Sequence, residues 1–241
     1  MRFSRLARAL TVGALVACAA IWIGRRAILV GAAELIVDED PVTPAQIIVP
    51  SHSMSQETAL EAAMLYEQQV SAHVVMTDWI EEPVADSMRS LGIRALDTTQ
   101  LNKYILEQSH VPASAITILP ERVDGTGSEI AAIVAFAERC RVSSLLVITA
   151  RTHTARTRWL LRRKLPRTVH VLVRSPRLDR FAVDSWWRER WQSREMAIEY
   201  LRWVNTVLFR DPWDRPSPAG SPEAVPDCNS VTGPNEVDAG A

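Results

Sequence analysis

Ten residues, Val147 to Arg156 in the order VITARTHTAR, hold the densest chemistry in the chain. An apolar run through Val147, Ile148 and Thr149 stops at a polar turn. Arg151, His153 and Arg156 follow, and the segment continues as the helical pattern TRWLLRRKL. Imidazole titrates near neutrality, and guanidinium forks match carboxylate and phosphate geometry. The combination describes a site that grips an anion and moves a proton, with His153 as acid/base and Arg151 and Arg156 as the clamp. Strand, loop and helix in that order put these groups at the carboxyl end of a strand, where open α/β sheets bind ligands. The helix start beside them offers unpaired N–H groups to the same anion.

Other candidates are spread along the chain. In DGTGSEI (Asp124–Ile130), Thr126 and Glu129 have the spacing of a capping box, in which hydroxyl and carboxylate satisfy N–H groups at a helix start. The functional alternative is that Glu129 faces a pocket, as a base or as the partner that orients His153. Ser51, His52 and Ser53 follow the first strand, and Asp78 ends the second, where it can bind a hydroxyl or cap a turn. Adjacent Ser and His seldom place nucleophile and base correctly, and no Gly-x-Ser-x-Gly elbow is present, so a hydrolase triad is not expected. The five histidines (52, 73, 110, 153, 170) lack metal-ligand spacing. No cofactor is assigned. A nucleotide or S-adenosylmethionine site remains a further alternative, although Gly-x-Gly-x-x-Gly is absent. Arg158, Arg162, Arg163 and Lys164 read as a solvated basic face. Trp186, Trp187, Trp191 and Trp203 are expected to pack a closing helix or lie near a membrane surface rather than to stack on a sugar.

The elements that must position these residues are legible as periodicity. Strands are expected at Ala45–Val49, His73–Thr77, Ile116–Leu119, Ser144–Thr149 and Val169–Arg174. Helical patterns lie between them at Gln56–Gln69, Pro83–Leu91, Thr99–Ser109, Ser128–Arg139 and His153–Leu165. A longer closing helix covers Asp184–Phe209. Strands alternating with helices of this length predict an α/β domain, with a mostly parallel sheet covered on both faces.

Composition bounds the rest. The 241 residues suit one sizeable domain, and a net charge of −1 gives no support for a nucleic-acid surface. Arg2, Arg5 and Arg8 precede the uncharged run Ala9–Gly24, after which come Arg25 and Arg26. Residues 1–37 therefore read as a basic stub and a signal-anchor helix, which makes the membrane the first partner. The basic stub favours a cytoplasmic N-terminus and an exported domain. A lipoprotein box at LVAC (Leu15–Cys18) and a cleaved signal peptide are the alternatives. Residues 38–210 form the expected domain, and the Pro-rich acidic segment 211–241 is expected to be disordered. Cys18, Cys140 and Cys228 are widely spaced, and a disulfide framework is not expected in a domain of this size.

From Ala45 to Phe209 the chain resembles the YdcF-like domain family of bacteria, which includes the SanA and ElyC branches. DGTGSEI resembles the family's Asn-Thr-x-Glu box, carrying Thr126 and Glu129. VITARTHTAR resembles its Thr-Ser-x-x-His-x-x-Arg box, carrying Thr149, His153 and Arg156. Arg194-Glu195 resembles an Arg-Glu pair of the SanA branch. The resemblance implies a Rossmann-like three-layer sandwich behind one transmembrane helix, in the bacterial inner membrane with the domain facing the periplasm. It also implies a role in the cell envelope. The polar pocket expected at the sheet's carboxyl edge suits an anionic small molecule, such as a phosphorylated glycan or lipid-carrier intermediate. It implies no settled reaction. A non-catalytic envelope factor that binds a partner protein or glycan is the alternative. That alternative draws on two departures: PSHS (Pro50–Ser53) and TDWI (Thr77–Ile80) stand where the family places glycine-rich turns.

Overall fold

The computed structural model describes residues 2–80, 87–88, 90–93, 97–208, 228 and 231, without the side chains of 2–10, 14, 17, 18, 20 and 21. Five parallel strands form one sheet: β1 (Ile47–Pro50), β2 (Val74–Trp79), β3 (Ile116–Val123), β4 (Ser144–Ile148) and β5 (His170–Arg174). Their order is β3-β2-β1-β4-β5. The chain winds outward from β1 on one side, returns to β4 and winds outward on the other. That makes a Rossmann-like α/β fold, with the reversal of strand order between β1 and β4.

Alternation along each strand explains the layers. Ile47, Val49, Leu145, Val147, Val171 and Val173 face a core shared with helices α4 (Thr126–Arg139) and α5 (Thr154–Lys164). Ile48, Val74, Met76, Leu146, Ile148 and Leu172 face the opposite core, under α2 (Ser55–Glu67) and α3 (Thr98–Gln108). Both faces are covered, so the strands carry apolar residues almost without interruption. Each expected strand is present within a few residues of its predicted ends. The helix expected over Pro83–Leu91 falls mostly outside the described residues.

Helix α1 spans Arg2–Glu34. Its last turn and the residues after it pack into the domain: Ala33 and Ile36 are buried with Phe181 and Met196. Trp186 Nε1 donates to the Leu29 carbonyl at 2.9 Å, and the Tyr200 hydroxyl to the Ala32 carbonyl at 2.7 Å. Among the described residues no helix is long and apolar enough to cross a membrane. Part of the apolar run Ala9–Gly24 has side chains outside the described set.

The closing segment is shorter than expected. A single turn at Trp186–Arg188 is followed by extended Glu189, and helix α6 then runs over Arg190–Leu208. The cysteines require a correction: Cys140, at the end of α4, is disulfide-bonded to Cys228, across 88 residues of sequence. Nearby Val231 is buried in the core, and its carbonyl accepts a hydrogen bond from Gln46 Nε2 at 3.2 Å. Cysteine spacing conveys only local patterns, and this pairing joins positions 88 apart. The rest of 211–241 lies outside the described residues. The basic face of α5 is solvated at Arg162 and Arg163, as expected, but Arg158 is drawn in. Arg158 pairs with Asp38 and Asp40, and the Arg163 guanidinium lies 4.7 Å from the centre of the Trp159 ring.

Candidate functional site

The reversal of strand order leaves a crevice at the carboxyl ends of β1 and β4. It holds a pocket of about 560 Å³. Ser51, His52 and Ser53 arrive from β1, Trp79 from β2, Gly125–Gly127 and Glu129 from the start of α4. Thr149, His153 and Arg156 arrive from the β4–α5 turn, and Arg202 and Asn205 from α6. Residues separated by 150 positions meet because every parallel strand ends on the same edge.

Glu129 is not the cap of α4. Ser128 does that work: its hydroxyl accepts from the backbone N–H of Asp124 at 3.1 Å and of Gly125 at 3.2 Å. The expected Thr126–Glu129 capping box is thereby corrected, and the carboxylate of Glu129 is left for the pocket. Glu129 is 5% exposed. Its Oε1 accepts from the His52 backbone N–H at 3.0 Å and, more weakly, from the Thr77 hydroxyl at 3.5 Å. Burial pushes its carboxyl up to about 7, against the pull of those hydrogen bonds and of Arg156.

His52 has a structural setting. Its Nε2 donates to the Thr77 carbonyl at 3.0 Å, and its ring lies against Trp79 with centres 4.9 Å apart. Thr77 occupies the point where the β2–β3 register breaks, between Met76 and Asp78. Desolvation lowers the imidazole, so His52 is a neutral wall of the pocket. Ser51 and Thr149 are linked through the Ser53 hydroxyl, at 2.8 and 2.9 Å. The Ser53 oxygen also accepts from the Ala150 N–H at 2.8 Å. This chain of hydroxyls ties the β1 turn to the β4 turn.

The expected triangle of His153, Arg151 and Arg156 around one anion is not formed. Arg151 turns away: its Nε lies 3.3 Å from Glu39, and its Nη1 donates to the Phe181 carbonyl at 2.9 Å. Arg156 does reach the pocket wall, yet Glu199 of α6 holds it in a buried fork, Nε–Oε1 2.6 Å and Nη2–Oε2 3.3 Å. His153 Nε2 lies 2.7 Å from Arg202 Nη1. The same Nε2 lies 3.1 Å from Glu199 Oε2, so the His153 ring sits between the carboxylate and the guanidinium. Burial, with Arg156 and Arg202 alongside, pushes His153 down to about 3. It is therefore neutral across the physiological range. Asp78 points elsewhere, toward Arg122 at 3.7 Å, and does not line the pocket.

Glu199 and Arg202 are the residues that sequence reasoning missed. Burial raises the Glu199 carboxyl, against the pull of Arg156 and Arg202. The signal was weak: a glutamate and an arginine three apart, on a helix whose other buried residues are Gln192, Met196 and Thr206. Among the described residues no group of His, Cys, Asp and Glu could hold a metal ion. No protein-family model matches this chain, and no curated protein or solved structure matches it.

Proposed function

We propose that the switch-point pocket binds an anionic small molecule of the phosphorylated-glycan or lipid-carrier type, in a membrane-anchored domain facing the bacterial envelope. One observation carries the reading: the N-terminus of α4, the half-exposed guanidinium of Arg202 and the buried carboxyl of Glu129 face one pocket. The first turn of a 14-residue helix presents N–H groups with no partner inside the helix, and these suit a phosphate oxygen. Arg202 adds a positive charge beside them. A carboxyl pushed up to about 7 exchanges its proton near neutral pH, the condition for general acid/base catalysis. Proton transfer is thus assigned to Glu129, which takes the proton of a substrate hydroxyl or returns one to a leaving oxygen. His153 and Glu199 position Arg202 and Arg156.

Resemblance to the YdcF-like family supports the envelope setting, as do Arg2, Arg5 and Arg8 before the uncharged run Ala9–Gly24. The Cys140–Cys228 disulfide favours an oxidising compartment and so an exported domain. A non-catalytic ligand-binding factor is the second reading. It is favoured by the internal pairing of Arg156 with Glu199, which spends part of the pocket's positive charge.

Titrating inorganic phosphate into the full-length protein in detergent tests the anion site. Saturating phosphate is expected to raise the melting temperature, since a ligand at 100 times its Kd adds roughly 2.7 kcal/mol. Arg202→Ala should abolish most of that rise, and Arg163→Ala, outside the pocket, should not. Equal loss from both substitutions means general charge attraction and removes the site.

A further inference from the structure

A second cleft of about 550 Å³ adjoins the first and shares Ser53 and His153 with it. Its other walls are of a different kind. Met54 and Glu57 come from the start of α2, Arg180 and Phe181 from the loop after β5, and Trp191 and Glu195 from α6. Trp191 is 41% exposed, whereas Gln192 and Met196 on the same helix are buried. Its ring lies on the cleft side of α6 and not in the core, contrary to the packing role expected for it. Asp179 fixes the loop wall, with its two oxygens accepting from the backbone N–H groups of Arg151 and Phe181 at 2.7 and 2.8 Å. Glu57 makes no ion pair among the described residues, and Glu195 has only the exposed Arg194 at 3.4 Å.

We infer that this cleft is a subsite for a neutral sugar ring, joined to the anionic group that the first pocket holds. An exposed indole offers a flat apolar face to ring C–H groups, and carboxylates accept hydrogen bonds from hydroxyls. An alkyl chain would strip water from Glu57 and Glu195 without replacing their hydrogen bonds. A second anion would meet both carboxylates against one close cation, Arg180. The shared Ser53 and His153 mark where the ligand passes from one cleft to the other. This inference rests on the anion reading of the first pocket, and the two fail separately.

The test uses the full-length protein in detergent and four probes: inorganic phosphate, glucose 1-phosphate, N-acetylglucosamine 1-phosphate and the neutral disaccharide N,N′-diacetylchitobiose. Calorimetry gives each Kd. A sugar phosphate is expected to bind about tenfold more tightly than phosphate, the scale of one aromatic contact. Trp191→Ala should bring it back to the phosphate level, and Glu57→Ala, which removes the acceptor, should cut the advantage severalfold, with phosphate binding unchanged in both. If phosphate binds and both sugar phosphates bind no more tightly, or the advantage survives both substitutions, the subsite is overturned and the anion reading stands. Neutral disaccharide binding that depends on Trp191, without phosphate binding, keeps the subsite and removes the anion reading. Absence of binding by all four probes overturns both. Should Trp191→Ala lower the melting temperature and weaken phosphate too, Glu57→Ala decides the matter.

Discussion

Burial of Glu129 makes its protonation a property of the fold. The carboxyl moves from an ordinary 4.5 in the unfolded chain to about 7 in the native protein. Between those values the unfolded chain has released its proton while the native protein still holds it. Stability from this group is therefore complete below pH 4.5 and is lost as pH rises to 7, by about 3 kcal/mol in all. Glu129→Gln keeps an acceptor for the His52 N–H and removes the titration. The variant is expected to gain stability relative to the parent as pH rises from 4.5 to 7, while losing any turnover the pocket supports. Melting curves at several pH values check the first point, and parallel curves would mean that Glu129 ionises as an ordinary surface carboxylate. His153 acts in the opposite sense: lowered from 6.5 to about 3, it costs stability as pH falls through that window. Both residues were legible in the sequence, because each sits at a strand-to-helix turn. Their protonation states were not, since burial and the arginines of α5 and α6 set them.

At the level of elements, the strands were legible because a parallel sheet covered on both faces needs unbroken apolar runs. The role of α6 was not. As the closing helix it was expected to pack against the domain, yet it also sends Glu199 across to Arg156 of α5. The Arg156–Glu199 fork is fully buried and clamps one helix to the other beside the pocket. Removing one partner leaves an unpaired buried charge, so Arg156→Met and Glu199→Leu should each cost roughly 3–5 kcal/mol. The double substitution replaces both charges with apolar groups and is expected to cost far less than the sum. Chemical denaturation of the three variants measures the coupling. Strict additivity would show that the clamp contributes nothing beyond packing. At the next position of α6, Tyr200→Phe removes the bond to the Ala32 carbonyl of α1. It is expected to cost about 1 kcal/mol and to leave phosphate binding intact.

Across the whole molecule, the domain is closed by contacts that no local pattern announces. Its packing reaches back to Leu29 on α1 and forward to Cys228 and Val231 in the tail. A boundary drawn from apolar periodicity, at residues 38 and 210, leaves these contacts outside. A cross-link between positions 88 apart restricts the unfolded chain most of all. The loop-entropy relation gives it roughly 4–5 kcal/mol of stabilisation. Reduction is therefore expected to lower the melting temperature by several degrees or more, and Cys140→Ser and Cys228→Ser should each reproduce that loss, with no further effect of reductant on either. The same bond connects stability to topology. Protein recovered from the membrane with its thiols blocked at lysis should migrate as the oxidised form, and a reporter active only outside the cytoplasm, fused after Ala241, should give signal. A reduced protein combined with an active cytoplasmic reporter would place the domain in the cytoplasm. The envelope reading would then fall, while the pocket and its chemistry would still stand.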